Sequence, residues 1–143
     1  MAETRASLDA LENRTWRHPL APVLVLEEGG GPPMIAITLP AAEDGRTLAW
    51  SLIEELGIVH SGHFRPADLG PAEDRTIDGA PMRRRALSLP ALPPCGYHRF
   101  VLTEAGGNAL ATLSLIVAPA RAHVPEPLTR PPGLWGIATQ IYA

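Results

Sequence analysis

Short apolar runs, each closed by proline, glycine or aspartate, recur along this 143-residue chain. Residues 23–26 (V-L-V-L) end in two glutamates and three glycines. A β-branched and leucine run followed by glycines predicts a strand and a turn. Residues 34–39 repeat the pattern and lead into a turn over residues 40–46 that contains Asp44-Gly45. Residues 47–56 fit two periods: Leu48, Trp50 and Leu52 alternate as on a strand, whereas Leu48, Leu52 and Leu56 share one side of a helix. Their place between turn signals and other strands favours the strand.

Gly57 breaks that run, and residues 58–64 follow as its hairpin partner, with the turn near residues 54–57. Residues 65–81 are polar and rich in Pro, Gly and Asp, which predicts a loop of about 17 residues. A strand over residues 83–89 puts Arg83 and Arg85 on one face and Arg84 and Ala86 on the other. Residues 90–96 (P-A-L-P-P-C-G) form a rigid turn. The next strand, residues 97–104, aligns Tyr97, Arg99, Val101 and Thr103. Gly106-Gly107-Asn108 then closes a hairpin into residues 109–118, the longest strand.

About seven strands spaced by turn signals predict an all-β fold, an immunoglobulin-like two-sheet β-sandwich. A short helix is expected over residues 4–14, where Leu8 and Leu11 share a face. Residues 119–133 carry five prolines and no periodicity, which predicts a linker. Residues 134–143 (L-W-G-I-A-T-Q-I-Y-A) read as a strand apolar on both faces, with no partner strand after it. The expected division is a helical and linker segment at 1–19, the sandwich at 20–119, and a linker leading into an incomplete strand at 120–143.

Composition narrows this further. Sixteen prolines and 13 glycines leave little room for long helices. Net charge is −3, from 12 basic and 15 acidic residues, too balanced for a nucleic-acid or anionic-membrane surface. One cysteine excludes an internal disulfide and a cysteine cluster for zinc. No apolar run approaches the ~18 residues of a membrane span, and the first residues carry no apolar signal-peptide core. A cytoplasmic domain is expected.

The candidate chemistry is thin. His60 and His63 are spaced i, i+3, so on a strand they face opposite sides and cannot share a metal without a bulge. Arg83-Arg84-Arg85 has no interleaved aromatic residues, which favours a solvated strand face over a polyanion patch. Glu54-Glu55, Glu43-Asp44 and Glu73-Asp74 are paired carboxylates, expected as surface charge. Cys95 lies near His98, but no framework supports a nucleophile and base. Trp50, inside a strand, is expected in the core. Gly29-Gly30-Gly31 precedes prolines and a strand, so it cannot cradle a phosphate. No catalytic residue, metal or cofactor is implied.

Three motifs carry a family resemblance. Leu92-Pro93-Pro94-Cys95-Gly96-Tyr97-His98, then Leu115-Ile116-Val117-Ala118-Pro119-Ala120-Arg121, then Leu134-Trp135-Gly136-Ile137-Ala138-Thr139-Gln140-Ile141-Tyr142 occur in that order. The series resembles the N-terminal region of bacterial 4-α-glucanotransferases, the amylomaltase or disproportionating-enzyme family. There an "LP-x-GYH" turn opens a strand, an "LIVAP-x-R" segment closes the sandwich, and an "LWG-x-x-x-QLY" segment begins a catalytic (β/α)8 barrel. After Arg121 the family often continues "C-Y-x-P"; here Pro125 fits and Ala122-His123 replaces the Cys-Tyr pair.

The resemblance implies a non-catalytic module whose partner is its own barrel domain. In the parent enzyme, two carboxylates beyond residue 143 would carry retaining transfer of α-1,4-glucan segments. It implies that Tyr142 lies near the end of the first barrel strand, where it would line the substrate groove of the intact enzyme. The alternatives are a free-standing module that binds α-glucan or malto-oligosaccharide, and the sandwich of a glycogen-debranching or trehalose-forming enzyme.

Overall fold

The computed structural model describes residues 13–126, together with Thr4, Leu11, Gly136 and Thr139. Within them eight strands appear: β1 (Val23–Glu27), β2 (Met34–Pro40), β3 (Leu48–Ile53), β4 (Val59–Phe64), β5 (Glu73–Ile77), β6 (Ala80–Ser88), β7 (Gly96–Glu104) and β8 (Ala109–Ala118). A five-stranded sheet has the order β1-β8-β7-β3-β4, and a three-stranded sheet the order β2-β6-β5. The first strand pairs parallel to the last, Leu24 opposite Leu115, and every other pair is antiparallel.

Period-two alternation builds the core. Leu48, Trp50 and Leu52 of β3, Phe100 and Leu102 of β7, and Leu113 and Leu115 of β8 point inward from the large sheet. They meet Ile35, Ile37 and Leu39 of β2 and Leu87 of β6. Truncating one such side chain to alanine costs about 2–5 kcal/mol, because the neighbours cannot close the void. Among the described residues no helix is long and apolar enough to cross a membrane.

The two sheets differ on their outer faces. Trp16, on the one-turn 3-10 helix Arg14–Trp16, covers the small sheet. Its ring packs under the Arg84 guanidinium at 4.0 Å and the Arg75 guanidinium at 5.3 Å. Arg84 Nε donates to Thr38 Oγ1 at 2.9 Å, and the Thr38 N–H donates to the Pro19 carbonyl at 2.9 Å. Burial lowers the Arg84 pKa from its ordinary value.

The two-sheet sandwich matches the expectation, and the differences from the sequence reading are local. Residues 65–81 are not one loop; they hold a 3-10 turn at Pro66–Asp68 and an eighth strand, β5. An Asp78-Gly79 turn joins β5 to β6, with φ of 51° and 82°. That dipeptide supplies the two positive φ values a tight hairpin turn requires. The arginine run is also not a solvated face. Arg85 is held bidentately by Asp44 at 2.8 Å through both nitrogens. Arg83 bridges Asp74 at 2.7 Å and Asp44 at 3.0 Å.

Thr4, Leu11 and Asn13 are helical, and the rest of the helix expected up to residue 12 lies outside the described residues. So do Tyr142, Trp135 and the strand expected over residues 134–143, save Gly136 and Thr139.

Candidate functional site

Of the titratable groups singled out in sequence, Glu54, Glu55, His60, Cys95 and His98 lie at one end of the sandwich, where the β3–β4 turn meets the start of β7. The turn closes by a Gly57 N–H donating to the Glu54 carbonyl at 2.9 Å and a Glu54 N–H donating to the Ile58 carbonyl at 2.8 Å. Gly57 has φ of +86°, a conformation that glycine adopts without strain. This turn sends the two adjacent glutamates in different directions.

Glu54 continues the inward face of β3 and is 8% exposed, against the expectation of surface charge. Its Oε1 lies 2.6 Å from His60 Nε2. The antiparallel register puts His60 opposite Leu52, on the same face as Glu54. His63 stands opposite Ala49 and points the other way, so the H-x-x-H pair is split between faces. A cavity of about 110 Å³ opens beside Glu54 and His60, walled by Trp50, Leu52 and residues 89–94. Its lining is largely hydrocarbon, since the prolines offer no N–H.

Glu55 reaches across to β7. Its Oε2 accepts the Tyr97 N–H at 3.1 Å, and its own N–H donates to His98 Nδ1 at 3.3 Å. His98 Nε2 donates to the Pro94 carbonyl at 2.8 Å. An amide N–H can only donate and a carbonyl can only accept, so His98 is the neutral tautomer with its proton on Nε2. Gly96 completes the arrangement with φ of +149°. A side chain there would collide with the Glu55 carboxylate.

This geometry accounts for the L-P-P-C-G-Y-H turn. Pro94 supplies an acceptor, Gly96 makes room for Glu55, Tyr97 supplies an N–H and His98 ties both segments together. Both nitrogens of His98 are engaged, so it cannot serve Cys95 as a base. Partial desolvation, then a hydrogen bond with Glu28, raises the Cys95 thiol pKa, which disfavours the nucleophilic thiolate. Glu54 and Glu55 are likewise held by His60 and Tyr97, and among the described residues no group of three or more His, Cys, Asp or Glu could hold a metal.

The arginine cluster is remote from this end and is internally matched. The Arg85 hydrogen bond, followed by that of Arg83, holds Asp44 below its ordinary pKa. Arg83 does the same to Asp74. Among the described tryptophans, Trp50 is buried and stacks on Phe100 at 6.1 Å between ring centroids, as its strand position predicts. Trp16 is buried as well. Among the described residues the exposed aromatic ring is Tyr97, at 71%.

The pairing of buried Glu54 with exposed His60 and the Glu55 contacts were missed in sequence. Their signal is a hairpin register, which only pairing β3 with β4 and β7 reveals.

Comparison with known proteins supplies what this geometry alone cannot. Residues 19–119 match the family model described as the MalQ N-terminal beta sandwich domain. The fold is similar to the crystal structure of amylomaltase from Corynebacterium glutamicum, with a TM-score of 0.61 and 22% identity. That match covers 82% of this chain and 15% of the amylomaltase chain. At this identity the likeness speaks to the fold.

Proposed function

Since the chain belongs to the family of MalQ N-terminal beta sandwich domains, we propose that it is the non-catalytic N-terminal module of a 4-α-glucanotransferase. Its role is to pack beside a catalytic barrel carried by the same polypeptide. The observation that carries this reading is how the acid, base and nucleophile candidates are engaged. Glu54 is held by His60, Glu55 by the Tyr97 N–H, and His98 by the Pro94 carbonyl and the Glu55 N–H. These side chains lie at one end of the sandwich, and among the described residues no pair of carboxylates faces a common groove.

In the proposed parent enzyme, one carboxylate outside this chain attacks the anomeric carbon of an α-1,4-glucan. A second protonates the leaving sugar oxygen and then deprotonates the acceptor hydroxyl. The division into residues 1–19, 20–119 and 120–143, and the placing of Tyr142 in the parent's substrate groove, belong to the same proposal; the L-W-G-I-A-T-Q-I-Y run supports them. A cytoplasmic setting fits the single cysteine.

A second reading, a free-standing module that binds α-glucan, draws on exposed Tyr97. One exposed ring is a small platform for stacking sugars.

The downstream reading frame tests the proposal. The expected continuation is a barrel strand running into an "LRS" and then an "NWGIGDF"-like segment. A frame encoding no barrel contradicts it.

A further inference from the structure

Among the described residues nothing covers the outer face of the five-stranded sheet, whereas Trp16 and its arginines cover the small sheet. On β1, β8 and β7 the register sets Val25, Ile116 and Tyr97 in one row. Ile53 and Val59, paired on β3 and β4, continue the strip beside Arg99. Val25 and Val59 are each 59% exposed and Tyr97 is 71% exposed. A shallow depression lined by Ile53, Tyr97, Arg99, Ser114 and Ile116, with Glu54 and His98 at its edge, lies within the strip. On this face β8, β7 and β3 place one charge, Arg99, among small, hydroxylated or aliphatic residues, while Glu27 of β1 and His63 of β4 stand at the two edges. Contiguous exposed apolar surface of this kind marks a contact site.

Position identifies the occupant. Ile116 lies two residues before Ala118, where β8 ends and the chain leaves the sheet. The exposed apolar residues gather at that end: Tyr97 opens β7, Val25 lies opposite Ile116, and Leu56 and Ile58 flank the β3–β4 turn. The polypeptide therefore leaves the sheet at the end where these residues lie.

We propose that this strip is the docking face for the catalytic part of the same polypeptide, an inference that rests on the reading of the chain as an N-terminal module. The complementary surface would be apolar, with one carboxylate placed to meet Arg99, because a guanidinium buried without a partner is strongly unfavourable. Tyr97 would fill the role of a central aromatic anchor.

Hydroxyl-radical labelling tests this without altering a residue. The 143-residue chain and the longer protein read from the same frame are labelled in parallel. Tyr97 is the probe, and Met34, 55% exposed on β2 of the other sheet, is the internal control. The expected result is labelling of Tyr97 in the short chain that falls at least threefold in the longer protein, with Met34 unchanged. Equal labelling of Tyr97 in both, in a longer protein that does transfer glucan, overturns the docking face and leaves the module reading standing. A frame with no catalytic part overturns both. Concentration-dependent protection of Tyr97 in the short chain would assign the strip to a second copy and overturn the proposal.

Discussion

The Glu55 carboxylate accepts the Tyr97 N–H at 3.1 Å, across the gap between the β3–β4 turn and the start of β7. This contact occupies the space that a side chain at position 96 would need. Gly96→Ala must therefore displace Glu55 and also adopt a φ of +149°. The expected cost is about 1–3 kcal/mol, read as a lower urea midpoint with an unchanged slope. A loss under about 0.5 kcal/mol would show that the turn relaxes freely.

His98 is 5% exposed and joins two segments through one donor and one acceptor. His98→Ala leaves the Glu55 N–H and the Pro94 carbonyl without their partner at a part-buried site. The penalty expected is about 1–3 kcal/mol for each group left unsatisfied. Hydrogen exchange at the Glu55 amide checks this directly: it should accelerate in the variant while the core amides of β8 keep their order of protection. An unchanged Glu55 amide would mean that the ring contributes packing alone.

These contacts show where sequence reasoning reached and where it stopped. Leu113, Leu115 and Val117 alternate strictly, so β8 was legible with its bounds. In β3 the alternation of Leu48, Trp50 and Leu52 competes with a helical period, and position between turn signals favours strand; the burial pattern agrees. β5 was illegible by hydrophobicity, since only Ile77 of its five residues is buried. Asp78-Gly79 was the available signal, hidden inside a stretch read as loop. Asp44 and Arg85 are 41 residues apart, and their pairing appears only once β2 and β6 are adjacent. Glu54 shares the parity of Leu48, Trp50 and Leu52, so its inward placement is legible in the run itself, whereas its partner His60 appears only with the β3–β4 register.

The arginine–aspartate cluster should be visible in acid. Hydrogen bonds from Arg85 and then Arg83 hold the Asp44 carboxyl below its ordinary value. A carboxylate whose folded pKa is depressed adds stability that is present above its unfolded value of about 3.9 and is lost as pH falls through the folded value. Asp44→Asn should be less stable than the wild type at pH 7, and the gap should narrow below about pH 4 as Asp44 protonates. Urea midpoints at pH 7, 5, 4 and 3 check this. Parallel curves for the two proteins would show that Asp44 does not contribute to the acid limb.

Trp50 lies flat over Gly62, its cross-strand partner. A Cβ at position 62 would sit 2.8 Å from the indole nitrogen. Gly62→Ala should push the ring against Phe100 and cost about 1–3 kcal/mol through overpacking. The tryptophan near-ultraviolet dichroism should change with it. A variant of wild-type stability and spectrum would contradict the packing.

The module proposed here carries neither carboxylate of the transfer reaction. Incubating the purified 143-residue protein with maltotriose and following glucose release measures that most directly. The predicted result is no glucose and no longer maltodextrins above the no-protein blank. Sustained release of glucose together with maltopentaose, proportional to protein concentration, would contradict it.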